Sequence, residues 1–133
     1  MNNEIPKEDR VYMKDLHFDH QQWSNEIKFY REELKIFTNR LEYIAKMNTK
    51  QEVMQEVERF QNHFIRQNEV IDEFLHQVNE HEHHLAKFAE DHPVAVDHVH
   101  FKDHKGMREE FETFGKIYQE LKTDFTRFLT KRM

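Results

Sequence analysis

Apolar side chains recur along most of this chain at alternating spacings of three and four residues. The first such run extends over Met13–Ile44, the second over Val53–Phe88 and the third over Met107–Phe128. This alternation is typical of the buried seam of a helix that packs against other helices. The pattern therefore predicts three long amphipathic helices.

Two interruptions separate the three runs. Asn48 and Thr49 break the first pattern, and Pro93 ends the second because proline disfavours helical geometry at the residue before it. Short turns join antiparallel neighbours, so the fold class expected is all-α: an up-down-up antiparallel bundle of three long helices with coiled-coil-like heptad packing. The expected helices cover about residues 9–46, 50–91 and 97–131.

The start of the third helix allows an alternative. Gly106 lies inside it, and glycine in a helix costs about 1 kcal/mol relative to alanine. Four helices, with a short one near 94–105, therefore stay open. In either arrangement we expect a single helical-bundle domain over 1–133, with residues 1–8 frayed.

The composition fits such a bundle and excludes several functional classes. Twelve Phe with only two Gly and two Pro argue against disorder, while a net charge of −6 without a basic face argues against nucleic-acid binding. The chain has no Cys, which excludes disulfides and thiolate sites. The first ten residues lack an apolar leader core, and no run of eighteen apolar residues occurs, so we expect a soluble, cytoplasmic protein without membrane partners.

Histidine is the unusual component of the sequence. Eight of the eleven histidines lie between residues 76 and 104, and some of them replace apolar residues in the seams. Folding the rods about residues 48–49 and 93–95 sets His20 opposite Val78 and His84 opposite His104, all at one end of the bundle. The candidate metal ligands at that end are His17, His20, Glu80, His81, His84, His100 and His104.

Imidazoles combined with a carboxylate suit Fe, Zn, Mn, Ni or Cu, and bundle interiors commonly hold such ligands. One histidine on the first helix is followed by His76 and Glu80 four residues apart, and then by His100 and His104 at the same spacing. This order resembles hemerythrin-type bundles, and the resemblance implies a non-haem di-iron centre. The chain departs from that family in having three longer helices and in His76, which is expected to face away from the seam.

No nucleophile beside a base and no glycine-rich phosphate loop occurs, so any activity would be metal-based. The function expected first is an interaction scaffold without conventional enzymatic chemistry, with a His-rich end. The alternatives are a metal-binding bundle, hemerythrin-like with non-haem Fe or with Zn, and a His-based pH-responsive module.

Six apolar residues lie beside the seams and indicate which partners the protein could bind. They either widen the core or support self-association as a dimer, or binding to another helical protein. These residues are Ile36, Ile65, Val70, Leu75, Ile117 and Leu129.

Overall fold

The protein is described here by a computed structural model of three long helices and one small strand pair. The helices are α1 (Met13–Met47), α2 (Gln51–Asp91) and α3 (Lys102–Arg132). Strand β1 (Arg10–Tyr12) pairs antiparallel with β2 (His98–His100), so that Arg10 lies opposite His100. The structure describes the backbone of residues 10–91, 98–100 and 102–133, and side chains within 15–88, 90–91 and 104–133. The all-α prediction is confirmed.

The strand pair changes two of the expected boundaries. Helix α1 begins at Met13 instead of near residue 9, and α3 begins at Lys102 instead of near 97. The alternative of a short helix near 94–105 is wrong for His98–His100, which is extended. Pairing with β1 satisfies backbone groups of this segment that a helix would otherwise have satisfied internally. The other residues of 92–97 lie outside the described part of the chain.

Aromatic side chains fill the core along the length of the bundle. Phe125 is fully buried, and its ring centroid lies 5.0 to 5.2 Å from those of Phe37, Phe60 and Phe64. Such pairs add about 0.5–1.5 kcal/mol each beyond the free energy of burial. The predicted seams therefore form one continuous apolar core away from the His-rich end.

Ion pairs connect each helix to the other two, and the up-down-up order of the helices stays a prediction. The pairs are Arg31–Asp72 between α1 and α2, Arg59–Asp124 between α2 and α3, and Glu33–Lys122 between α1 and α3.

Tyr118 fixes the position of α3 along α1. Its buried hydroxyl donates to the Glu33 carboxylate, which also accepts from Lys122 Nζ at 3.0 Å. Burial, and then Glu33 itself, raises the pKa of Tyr118, so the hydroxyl keeps the proton that it donates. These contacts therefore fix the axial position of α3 relative to α1.

The apolar residues beside the seams divide into two groups. Val70, Leu75 and Leu129 pack against the core, which confirms the wide-core interpretation for them. The other three are about half exposed, and self-association through them stays a prediction; they are Ile36, Ile65 and Ile117. None of the described helices is apolar over enough residues to cross a bilayer.

The aromatic core gives a direct test of the packing. We expect Phe125→Ala to lower the free energy of unfolding by about 3–5 kcal/mol, because it removes a buried ring and leaves a cavity. The matched control is Phe29→Ala, at a ring that is 60% exposed, with an expected change within about 0.5 kcal/mol. Urea denaturation followed by circular dichroism measures both, and equal effects would contradict the packing.

Candidate metal centre

Three histidines, one from each helix, meet at the end of the bundle near the strand pair. They are His20 of α1, His81 of α2 and His104 of α3, here called the His triad. One ring nitrogen of each lies within 4.8 Å of those of the other two. His20 Nε2 and His81 Nδ1 are 2.9 Å apart. His20 is 2% exposed and His104 is 0% exposed, whereas His81 is half-buried.

A carboxylate holds the outer nitrogen of His20. Glu82 contacts His20 Nδ1 through one oxygen, and its other oxygen lies 2.7 Å from Nδ1 of His17. An ionised carboxylate only accepts hydrogen bonds, so Nδ1 of His20 carries the proton. The lone pair of the neutral ring is therefore on Nε2, the nitrogen that faces His81.

A second carboxylate holds His104 in the same way. Asp19 Oδ2 accepts from His104 Nε2 at 3.0 Å and from Arg108 Nη2 at 3.2 Å. The lone pair of His104 is therefore on Nδ1, which is buried and has no hydrogen-bond partner among the described residues. A buried polar atom without a partner costs about 1–3 kcal/mol, so this nitrogen requires an explanation.

The surroundings of His104 favour its neutral form. Burial lowers the pKa of His104, and the hydrogen bond that His104 donates to Asp19 opposes that change only in part. A neutral imidazole with a free lone pair is the form that binds a metal ion. The lowered pKa and the hydrogen bond to Asp19 therefore both indicate a neutral His104 whose lone pair is on Nδ1.

Aromatic rings pack against the triad on the side of the apolar core. Trp23, the only tryptophan in the chain, stacks on His104 with 4.8 Å between ring centroids and 23° between planes. Trp23 also stacks on Phe111 at 5.8 Å and lies 6.1 Å from Phe74. Rings that are packed on one side and hydrogen-bonded on the other have little freedom to rotate.

The remaining predicted ligands lie elsewhere. His17 is at the rim, 61% exposed, on the same carboxylate as His20. Glu80 pairs with His76 at 3.0 Å on an exposed face of α2, and His84 is also exposed, so neither reaches the triad. The side chain of His100 lies outside the described residues.

The axial position of α2 relative to α1 explains why His81, rather than His84, belongs to the His triad. The sequence set His20 opposite Val78, but in the structure its ring contacts His81, three residues further along α2. Residues 48–50 are not helical, so α2 begins at Gln51. Three residues are close to one helical turn, so the shift replaces one inner residue by the next on the same face.

The two carboxylates that hold the ligands are not among the residues predicted from the sequence. Each one is adjacent in sequence to a triad histidine but serves a histidine of another helix. Asp19 precedes His20 and holds His104, whereas Glu82 follows His81 and holds His20. An acidic residue beside a seam histidine is the signal that could have identified them.

The comparisons give no relative for this arrangement: no protein-family model matches the chain, nor does any curated protein or solved structure. The chemistry of the site therefore follows from its geometry alone. Three imidazoles converge, and carboxylates hold two of them from outside, as is usual around metal-binding histidines.

The lowered pKa of His104 predicts a loss of stability in acid. Its folded pKa lies below the unfolded value of about 6.5, so its contribution is complete above pH 6.5 and decreases as the pH falls towards the folded pKa. The groups facing His104 are Asp19, His20, His81 and Arg108.

We expect the free energy of unfolding, measured in chelator by urea denaturation between pH 7.5 and 5.5, to decrease in this way. The slope with pH should be smaller for His104→Gln, which cannot gain a proton. An equal or larger slope in the variant would refute the assignment.

Proposed function

We propose that this protein is a metal-binding helical bundle in which the His triad holds one divalent transition-metal ion, with Zn²⁺ favoured. The observation that carries the proposal is the convergence of one ring nitrogen from each of the three histidines within 4.8 Å, together with the buried His104 Nδ1, which lacks a partner among the described residues. A metal ion bound by these nitrogens would replace the proton that His20 and His81 share, and it would remove the cost of the unpaired nitrogen.

The spacing of the nitrogens supports a tetrahedral ion. Zn–N bonds of about 2.0 Å place tetrahedral ligands about 3.3 Å apart. His20 Nε2 and His81 Nδ1 are already 2.9 Å apart, and every pair lies within 4.8 Å. Movements of about 1 Å or less in side chains would therefore complete the geometry, and the backbone need not change.

The donor set favours zinc over the di-iron centre that the hemerythrin resemblance implied. Iron and manganese sites in bundles use carboxylates as direct ligands. In this protein Asp19 and Glu82 bind the outer nitrogens of the histidines instead. The His76–Glu80 pair of that resemblance lies on an exposed face, away from the triad.

Metal analysis of the untagged protein tests the proposal. We expect one equivalent of Zn²⁺ by elemental analysis, and a lower melting temperature after chelation, because a ligand that binds only the folded state stabilises it. His81→Ala should weaken binding by more than about 100-fold, since losing an outer partner alone costs about 10–100-fold.

The control is His84→Ala, on the same helix three residues away, which should bind as the original protein does. Co²⁺ or Ni²⁺ should also quench the fluorescence of Trp23, whose ring lies 4.8 Å from His104 and 5.6 Å from His20. Equal retention of metal by both variants would refute the triad as the site.

The outer carboxylates give an independent prediction. We expect Glu82→Ala to weaken Zn²⁺ binding by about 10–100-fold, because His20 loses the partner that fixes its tautomer and orientation. Glu82→Gln should restore part of this loss, since its amide oxygen still accepts from Nδ1. Glu80→Ala, two residues away on an exposed face, is the matched control. Isothermal titration calorimetry measures all three, and a Glu82→Ala affinity equal to the control would exclude the role.

A further inference from the structure

Beyond metal binding itself, we propose that the ion held by the His triad has a fourth coordination position that a small anion from solution occupies. The inference rests on the proposed metal site and specifies the class of ligand that this site takes. It follows from the number of donors, the charge around them and the exposure of the three histidines.

The triad provides three donors, and zinc in proteins is almost always four-coordinate. Structural zinc sites close the fourth position with a protein ligand, whereas sites that bind exogenous molecules keep it for water or another small ligand. Among the described residues, the metal-ligating group consists of His20, His81 and His104 alone. The two described carboxylates that contact triad histidines each already bind two partners. Either carboxylate could become a ligand only by releasing the histidine that it holds.

The charges around the site favour an anion as the fourth ligand. Three neutral imidazoles leave both charges of the metal ion uncompensated within its coordination shell. Asp19 and Glu82 balance these charges from outside, but Arg108 adds one positive charge where it pairs with Asp19 at 3.2 Å. Counted over these described groups, the centre keeps a net positive charge in a largely buried place, where electrostatic attraction is stronger than in water.

Among the described residues, His81 is the most exposed member of the triad. His20 and His104 are buried, while His81 is only half-buried, so within the described part of the chain the α2 side of the triad is the more exposed one. On the inner side the triad is closed by Trp23, which stacks on His104. A ligand of a few atoms, such as azide, thiocyanate or bicarbonate, fits this description.

Cobalt substitution tests the inference on the full chain. Co²⁺ has visible absorption bands whose position and intensity depend on its ligands. We expect azide or thiocyanate to change the spectrum of the Co²⁺-loaded protein saturably, while perchlorate at equal ionic strength leaves it unchanged. His84→Ala should give the same anion titration as the original protein, because His84 is exposed and outside the triad.

Two negative results are distinguishable. A Co²⁺ spectrum that depends on His81 but does not respond to either anion would overturn the inference and leave the metal site intact; it would mean that the chain itself supplies the fourth ligand. A protein that develops no such spectrum, or develops it equally in His81→Ala, would refute the proposed function itself.

Discussion

The candidate site depends on one constraint: each imidazole that enters the core must have partners for both of its ring nitrogens. Water cannot supply these partners to His104, which is fully buried, or to His20, which is nearly so. Carboxylates at the helix flanks satisfy the outward nitrogens. The other ring nitrogens face the interior of the triad. Two of them can form a hydrogen bond only if one carries a proton, because two lone pairs repel each other. A shared proton satisfies His20 and His81, but the geometry leaves His104 Nδ1 without any partner among the described residues.

The rest of the fold holds these rings at one level. The packed phenylalanines around Phe125 hold the helices together at the end away from the triad. The hydrogen bond from Tyr118 to Glu33 fixes the axial position of α3 relative to α1. At the site end, the pairing of β1 with β2 connects the residues just before α1 to those just before α3. His20 and His104 both follow this pair closely in sequence. Rigid surroundings matter because a metal site needs its donors held within a fraction of an ångström.

Much of the fold could be predicted from the sequence, because a three–four apolar rhythm over thirty residues has few other interpretations. The His-rich end was predictable for the same reason: His20, His81 and His104 continue seams whose other members are apolar. The choice between His81 and His84 was not, since it depends on three non-helical residues between α1 and α2. The short strands could not be predicted either. Three residues carry too little periodicity, and β2 depends on pairing with a segment almost ninety residues earlier.

Gln67 shows how the triad differs from an ordinary polar layer of a bundle. It occupies a seam alone, is 7% exposed, and its Oε1 also lacks a partner among the described residues. A single buried amide of this kind fixes register at a cost in stability. The triad instead places one imidazole from each helix at the same level, and carboxylates aligned from outside fix the tautomers of His20 and His104. Register alone would require neither three rings nor two carboxylates, whereas a tetrahedral metal ion requires both convergence and fixed tautomers.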